Sequence, residues 1–167
     1  MTSEDVAAVL LAGGLSRRMG GQDKMLRELA GQSILSRVVA RIELQAARIL
    51  LNANGDPARF AEFGLPVAAD VVEGYAGPLA GVLTGMEWAR ENAPDCSWIV
   101  TVPTDAPFLP PDLVQRLLEV VRRDGADMAC ASSGGRHHPV CGLWPIRLAD
   151  ELRHAMLSEE IRKVDVW

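Results

Sequence analysis

Residues 6–24 read VAAVLLAGGLSRRMGGQDK, and how this stretch is read decides the fold. Its first seven residues, Val6 to Ala12, are all apolar, and Gly13-Gly14 cuts the run off. A short continuous apolar run ending in glycine is the pattern of a strand buried on both faces, as in the middle of a parallel sheet. A loop rich in glycine and positive charge follows, with Gly13, Gly14, Gly20 and Gly21 beside Arg17, Arg18 and Lys24. Glycines let backbone N–H groups turn inward and approach an anion closely, and the three cations supply countercharge for a polyphosphate. A phosphate-binding loop at the carboxyl end of a first strand is therefore expected.

Two common loops of that kind do not fit. A P-loop needs Gly, four residues and then Gly-Lys-Ser/Thr, but Met25 follows Lys24 and no glycine immediately precedes it. The dinucleotide fingerprint G-x-G-x-x-G is broken by Gly13-Gly14-Leu15. What stands at 11–24 is L-A-G-G-x-S-x-R-M-G-G-x-D-K. This resembles the signature loop of nucleotidyltransferases of the molybdenum cofactor guanylyltransferase type, matching at Leu11, Ala12, Gly13, Gly14, Ser16, Arg18, Met19, Gly20, Asp23 and Lys24.

With 167 residues the chain has the natural size of one domain with a real core. It is 49% hydrophobic and 23% charged, which excludes a disordered chain, and no apolar run reaches the length of a membrane span. The start, MTSED, is acidic and lacks the basic opening of a signal peptide, so a cytoplasmic protein is expected. A net charge of −5 argues against non-specific nucleic-acid binding and makes the local Arg17-Arg18-Lys24 cluster stand out. Cys96, Cys130 and Cys141 have no metal-ligand spacing; Cys96 and Cys141 adjoin apolar runs and are expected to be buried, reduced thiols.

After the loop, Ser33 is a suitable N-cap, and Ile34, Leu35, Val38, Val39 and Ile42 recur at helical spacing, predicting a helix from Ser33 to about Gln45. Residues 48–51 form a strand that stops at Asn52-Ala53-Asn54-Gly55, and a short helix near 58–63 leads to a strand at 65–69 that stops at Asp70. Strand, helix, strand in this order makes a βαβ unit. Three strands thus end in glycine or polar residues, at Gly13, Asn52 and Asp70, and open α/β sheets bind ligands at such carboxyl ends. A second glycine-rich turn, Gly74 to Gly81, leads into a helix from Pro78 to about Asn92, with Pro78 at a first helical position. The G-P-L-A-G run, with Gly77 and Pro78, is similar to the family's second loop, which lines the nucleotide pocket.

Residues 97–102, SWIVTV, form the clearest strand, and PTDAPFLP follows it. Asp105 is a lone carboxylate with stiff proline flanks, suited to Mg²⁺, which takes one or two protein carboxylates. It could instead cap the helix that begins near Pro111, a role open to Asp112 as well. The stretch resembles the family's metal-binding Asp-x-Pro-Phe loop, with Thr104 and Ala106 where cysteine and threonine often stand. A helix at 113–121, a strand at 126–132, a Ser133-Gly134-Gly135-Arg136 turn, a strand at 138–144 and a helix at 146–157 complete the alternation. His137 and His138 are adjacent on that strand, so they point to opposite faces and cannot act as a pair, though one can face the site. Residues 162–167 alternate charged and apolar side chains as a strand would.

The fold expected is a three-layer, doubly wound α/β domain with a mostly parallel sheet, of the Rossmann type seen in nucleotide-diphospho-sugar transferases. The resemblance spans nearly all of a single domain, 1–167, but the family's further C-terminal strand and helix are not in the sequence. A chain with an open sheet edge at 162–167 that binds GTP and transfers GMP poorly is expected on that account. By resemblance the reaction moves GMP from GTP to the terminal phosphate of molybdenum–molybdopterin and releases pyrophosphate. The backbone of Gly13 and Gly14, with Arg18 and Lys24, would hold the triphosphate, and Leu11 and Ala12 would belong to the nucleotide-binding residues; Arg18, Lys24 and Asp105 would act in catalysis, and Asp105 would hold Mg²⁺. Asn52 and Asp70 would read the nucleoside, with Gly77 and Pro78 lining the pocket. Molybdoenzymes or their chaperones would be the partners, with neither nucleic acid nor membrane involved. A cytidylyl- or sugar-nucleotidyltransferase of the same fold and a non-catalytic nucleotide- or cofactor-binding module are the alternatives.

Overall fold

The computed structural model describes residues 5–12, 24–74 and 77–167. Six strands form one sheet in the order β5-β4-β1-β6-β8-β7. β1 (Val6–Leu11) lies in the middle, parallel to β4 (Arg48–Asn52) on one side and to β6 (Trp98–Pro103) on the other. The short β5 (Val67–Ala68) adds to β4 in parallel. β7 (Ala129–Ser133) and β8 (Arg136–Pro145) form an antiparallel hairpin, and β8 runs antiparallel to β6. Gly134 and Gly135 take φ of 56° and 74° in its two-residue turn, the left-handed pair that matches strand twist.

Helices cover both faces. α1 (Ile34–Ile42) and α3 (Leu113–Asp124) share one core with Val6, Ala8 and Leu10. α2 (Pro78–Asn92) and α4 (Ala149–Ser158) share the other with Ala7 and Val9. The alternation across β1 explains its unbroken apolar run: both faces are dry, so no position tolerates a polar side chain. Three layers and a mostly parallel sheet are what the sequence pattern predicts.

Local chemistry sets the helix starts. Ser33 Oγ accepts from Ser36 N at 3.1 Å and caps α1. At α3 neither aspartate does the capping. Asp112 pairs instead with Arg116 at 2.7 Å, and buried Gln45 reaches over from the end of α1. Gln45 Oε1 accepts from Val114 N at 3.1 Å while its Nε2 donates to Arg41 O at 2.8 Å and Pro110 O at 3.0 Å. A small hairpin, β2 (Glu28–Leu29) with β3 (Gln32–Ser33), was not expected from the sequence. Ala30 and Gly31 make its turn at φ of 52° and 78°.

Residues 162–167 correct the expected strand. They form a turn, and Ile161, Val164 and Trp167 pack onto the core beneath α2 and α4. Trp167 lies 6.0 Å from Trp144, ring centre to ring centre. The two tryptophan rings cover each other, which a strand leading away from the core would not allow, so 162–167 presents no unpaired strand edge.

α2 lies very close to the sheet. A Cβ on Gly85 would stand 3.0 Å from Val9 Cγ1 and nearer still to Cγ2. One on Gly81 would stand 2.5 Å from Leu11 Cδ2 and nearer still to Asn52 Oδ1. Val9 is fully buried and β-branched, so it has no free rotamer to escape into. Gly85→Ala is expected to destabilise the protein by about 1–3 kcal/mol through overpacking, read from the urea midpoint at unchanged slope.

Candidate functional site

Parallel pairing lines up the strand ends. Leu11 sits opposite both Asn52 and Pro103, and Asn52 sits opposite Ala68, so four carboxyl ends form one row. The connection after β1 carries α1 to one face and that after β5 carries α2 to the other, which opens a crevice beside β1. Ala12 N donates to Asn52 O at 2.9 Å, continuing the β1–β4 pairing into the start of the loop. Gly13, Gly14 and Arg18 lie outside the described residues.

Asp70 is the most thoroughly held group on this edge. Asn52 Nδ2 donates to Asp70 Oδ1 at 3.0 Å and to Ala68 O at 3.2 Å. Asn54 Nδ2 donates to Asp70 Oδ2 at 2.8 Å, and Asn54 Oδ1 accepts from Asp70 N at 2.9 Å. The next residue is fixed too: Val71 N donates to Thr84 Oγ1 at 3.0 Å, and that hydroxyl donates to Ala80 O at 2.7 Å. Each carboxylate oxygen of Asp70 accepts one amide and keeps a lone pair for a ligand. Asn52 is only 2% exposed and both its amide hydrogens are engaged, so it holds Asp70 in place. Asn54 and Thr84 were not singled out in the sequence; an Asn-x-Asn after a strand was the available signal for the first, and nothing marked the second.

Asp105 stands in the turn after β6 and is exposed. Thr104 anchors that turn, donating from N and Oγ1 to Leu11 O at 3.4 and 3.3 Å. Because Gln45 caps α3, Asp105 has no capping role, and among the described residues its carboxylate takes no hydrogen bond or ion pair. Among the described residues no three His, Cys, Asp or Glu side chains cluster as a ready metal cage. Lys24 opens a short 3-10 turn, Lys24–Leu26, and is exposed while Met25 is buried beneath it in the α1–α3 core. Gly77 precedes α2 in extended conformation at φ 164°, so any residue could adopt its backbone. Space is the constraint there, since a Cβ would stand 3.2 Å from Arg162 O. Pro78 takes the first helical position, as expected.

The cysteines differ from one another. Cys96 is buried, and burial raises its pKa. Cys141 is half-buried and Cys130 exposed. Burial first, then the Asp105 carboxylate and Cys130, push the Cys141 thiol up to about 11. Cys141 packs against the same α1–α3 core as Ala106, the residue after Asp105. Asp105→Asn removes a negative charge, lowers that pKa while burial still holds it up, and is expected to speed alkylation of Cys141 at pH 8, measured by peptide mass mapping. An unchanged rate would show that the carboxylate and thiol are not neighbours.

Residues 8–165 match the model of the MobA-like NTP transferase domain. The chain is 58% identical to a molybdenum cofactor guanylyltransferase of Rhodopseudomonas palustris, over 95% of this chain and 75% of that protein. It is 53% identical to one from a Bradyrhizobium species, over 98% of this chain and 79% of the relative. Among solved structures, a molybdopterin-guanine dinucleotide biosynthesis protein A from Archaeoglobus fulgidus is similar, with a TM-score of 0.69 and 22% identity over 96% of this chain and 77% of that one; at that identity the likeness bears on fold alone. The chain belongs to the MobA-like NTP transferase family, among the molybdenum cofactor guanylyltransferases.

Proposed function

We propose that this chain transfers GMP from GTP to the terminal phosphate of molybdenum–molybdopterin, forming the guanine dinucleotide cofactor. Residues 1–167 act as one nucleotidyltransferase domain in this reading. A phosphate oxygen of the acceptor attacks the α-phosphorus of GTP; a new P–O bond forms, the bond to the bridging α–β oxygen breaks, and pyrophosphate leaves with that electron pair. The attacking phosphate is already ionised at neutral pH, so no general base is needed, and catalysis reduces to positioning and charge stabilisation.

The observation that carries this reading is the contrast between two carboxylates on one sheet edge, Asp70 clamped by two amides and Asp105 left unpaired among the described residues. Asp70 accepts from the nucleoside, and its two remaining lone pairs match the adjacent N1–H and N2 amino donors of guanine; adenine offers no such donor pair. Asn52 and Asn54 orient it. Asp105 would hold Mg²⁺, which takes few protein ligands and keeps water and phosphate oxygens, and whose charge would polarise the α-phosphate. Arg18, Lys24 and the amides of Gly13 and Gly14 neutralise the triphosphate, beginning where Leu11 and Ala12 end the strand. Gly77 and Pro78 line the opposite wall. The product is handed on in the cytoplasm to a molybdoenzyme or its chaperone.

GTP with Mg²⁺ at about 100 times its Kd should stabilise the protein by about 2.7 kcal/mol, and ATP or CTP at the same concentration by less. Equal thermal shifts for the three nucleotides would remove the guanine assignment. Asp105→Ala should nearly abolish transfer while metal-free GTP still binds, whereas Lys24→Ala should weaken GTP binding and lower turnover. Asn54→Ala should cut the preference for GTP over ATP by about tenfold, the effect of losing roughly 1.4 kcal/mol of orientation at Asp70. Competition binding with both nucleotides measures that ratio.

A further inference from the structure

The turn that follows β4 is held by a side chain that comes after it. Residues 54–57 read Asn-Gly-Asp-Pro, and Gly55 takes φ of 90° to reverse the chain. Arg59 lies in the 3-10 helix Pro57–Phe63, whose start Asp56 caps by accepting from Ala58 N at 2.9 Å. From there its guanidinium folds back over the turn. Nη2 donates to Asn54 O at 2.8 Å and Nε donates to Asp56 O at 3.1 Å, so one planar group joins both ends of 54–56. Nε and Nη2 share an edge of that plane, and the edge matches two carbonyls with one residue between them.

The guanidinium is itself seated. Its carbon lies 4.9 Å from the centre of the Phe60 ring, and Phe60 is buried in the α1–α3 core. A cation over an immobile aromatic face is held in place by it. Asn54, Gly55 and Asp56 are all exposed, and an exposed turn with glycine at its centre is otherwise among the looser parts of a fold. Arg59 therefore ties this turn to the core. The consequence falls on Asp70, because Asn54 contacts it twice: Nδ2 donates to Asp70 Oδ2 at 2.8 Å, and Oδ1 accepts from Asp70 N at 2.9 Å. Both contacts depend on where the Asn54 backbone sits, and Arg59 grips the Asn54 carbonyl.

We propose that Arg59 is a positioning residue for base selection: by stapling the 54–56 turn it sets Asn54, and through Asn54 the direction in which Asp70 presents its lone pairs. This rests on the guanylyl-transfer reading, in which Asp70 accepts from the base. In this role Arg59 acts through Asn54 rather than on the nucleotide. A carboxylate whose direction is fixed can demand the paired donors of guanine. One free to rotate can turn an oxygen to the single amino donor of adenine, and the discrimination is lost.

The test compares wild type, Arg59→Lys and Arg59→Ala by titration calorimetry with GTP and with ATP, each with Mg²⁺, and by hydrogen exchange at the Asp70 amide without nucleotide. Both variants should lower the ratio of GTP to ATP affinity by about fivefold, chiefly by weakening GTP, since lysine keeps the charge but cannot bridge two carbonyls. The Asp70 amide, which donates to Asn54, should exchange severalfold faster in both. Melting temperature should change little, because Arg59 is exposed. A full wild-type ratio in Arg59→Lys would assign Arg59 a charge effect alone and overturn the proposal. Equal loss of GTP and ATP affinity in Arg59→Ala, or unchanged exchange at Asp70, overturns it as well. A wild type that binds GTP and ATP alike is a different result: it overturns the guanine reading, while the exchange rates still decide whether Arg59 holds Asn54 against Asp70.

Discussion

The close approach of α2 to β1 is the constraint on which the site depends. With Gly81 and Gly85 facing Leu11, Asn52 and Val9, the helix comes nearer to the sheet than any side chain would permit. The same helix face carries Thr84, whose hydroxyl holds Val71 N and so fixes the segment that follows β5. Asn52 leans over Gly81 and from there donates to Asp70. A Cβ at position 81 would push Asn52 aside and loosen the Asp70 carboxylate without touching it. Packing density between a helix and a strand is in this way converted into the orientation of a binding group.

A second set of contacts does the corresponding work on the other side of β1. Thr104 ties the turn after β6 to the carbonyl of Leu11, and Gln45 ties Pro110 and the Val114 amide of α3 to the end of α1. Both anchors use buried side chains whose hydrogen bonds would be costly to lose. The segment from 104 to 110 is therefore pinned at its two ends by groups other than its own carboxylate. That leaves the Asp105 carboxylate free of a structural partner among the described residues and open to a ligand.

Most of the fold was legible because it follows from periodicity. An unbroken apolar run at 6–11 and a β-branched one at 98–102 announced central strands, and the spacing of Leu35, Val38 and Ile42 announced α1. Long-range hydrogen bonds were not legible, because nothing local distinguishes them. Gln45 sits in an ordinary helix end yet caps a helix 69 positions away, and Thr84 is one threonine in a helix until Val71 is placed against it. The 162–167 segment was misread for a related reason: alternation of charge and valine suggests a strand, but a strand needs a neighbour to pair with, and Trp144 offered Trp167 an apolar surface instead. Within the site, residue types at strand ends pointed to Asn52 and Asp70, while their division of labour needed burial and the two amide contacts to see.

A chain of net charge −5 that receives polyanionic substrates faces a general electrostatic difficulty. Charges on distant surfaces matter little, since screening reduces their influence beyond about 8 Å at physiological salt. What counts is the sign of groups within that distance of the phosphates. The carboxyl edge presents two aspartates, Asp70 held by the amides of Asn52 and Asn54, and Asp105 without a partner among the described residues. The sequence offers Arg17, Arg18 and Lys24 after β1 as countercharge. A nucleotidyl transfer between two phosphates needs countercharge on both flanks, because leaving pyrophosphate and attacking phosphate lie on opposite sides of the α-phosphorus. Countercharge on one flank alone would stabilise binding of one anion while leaving its approach to the other opposed.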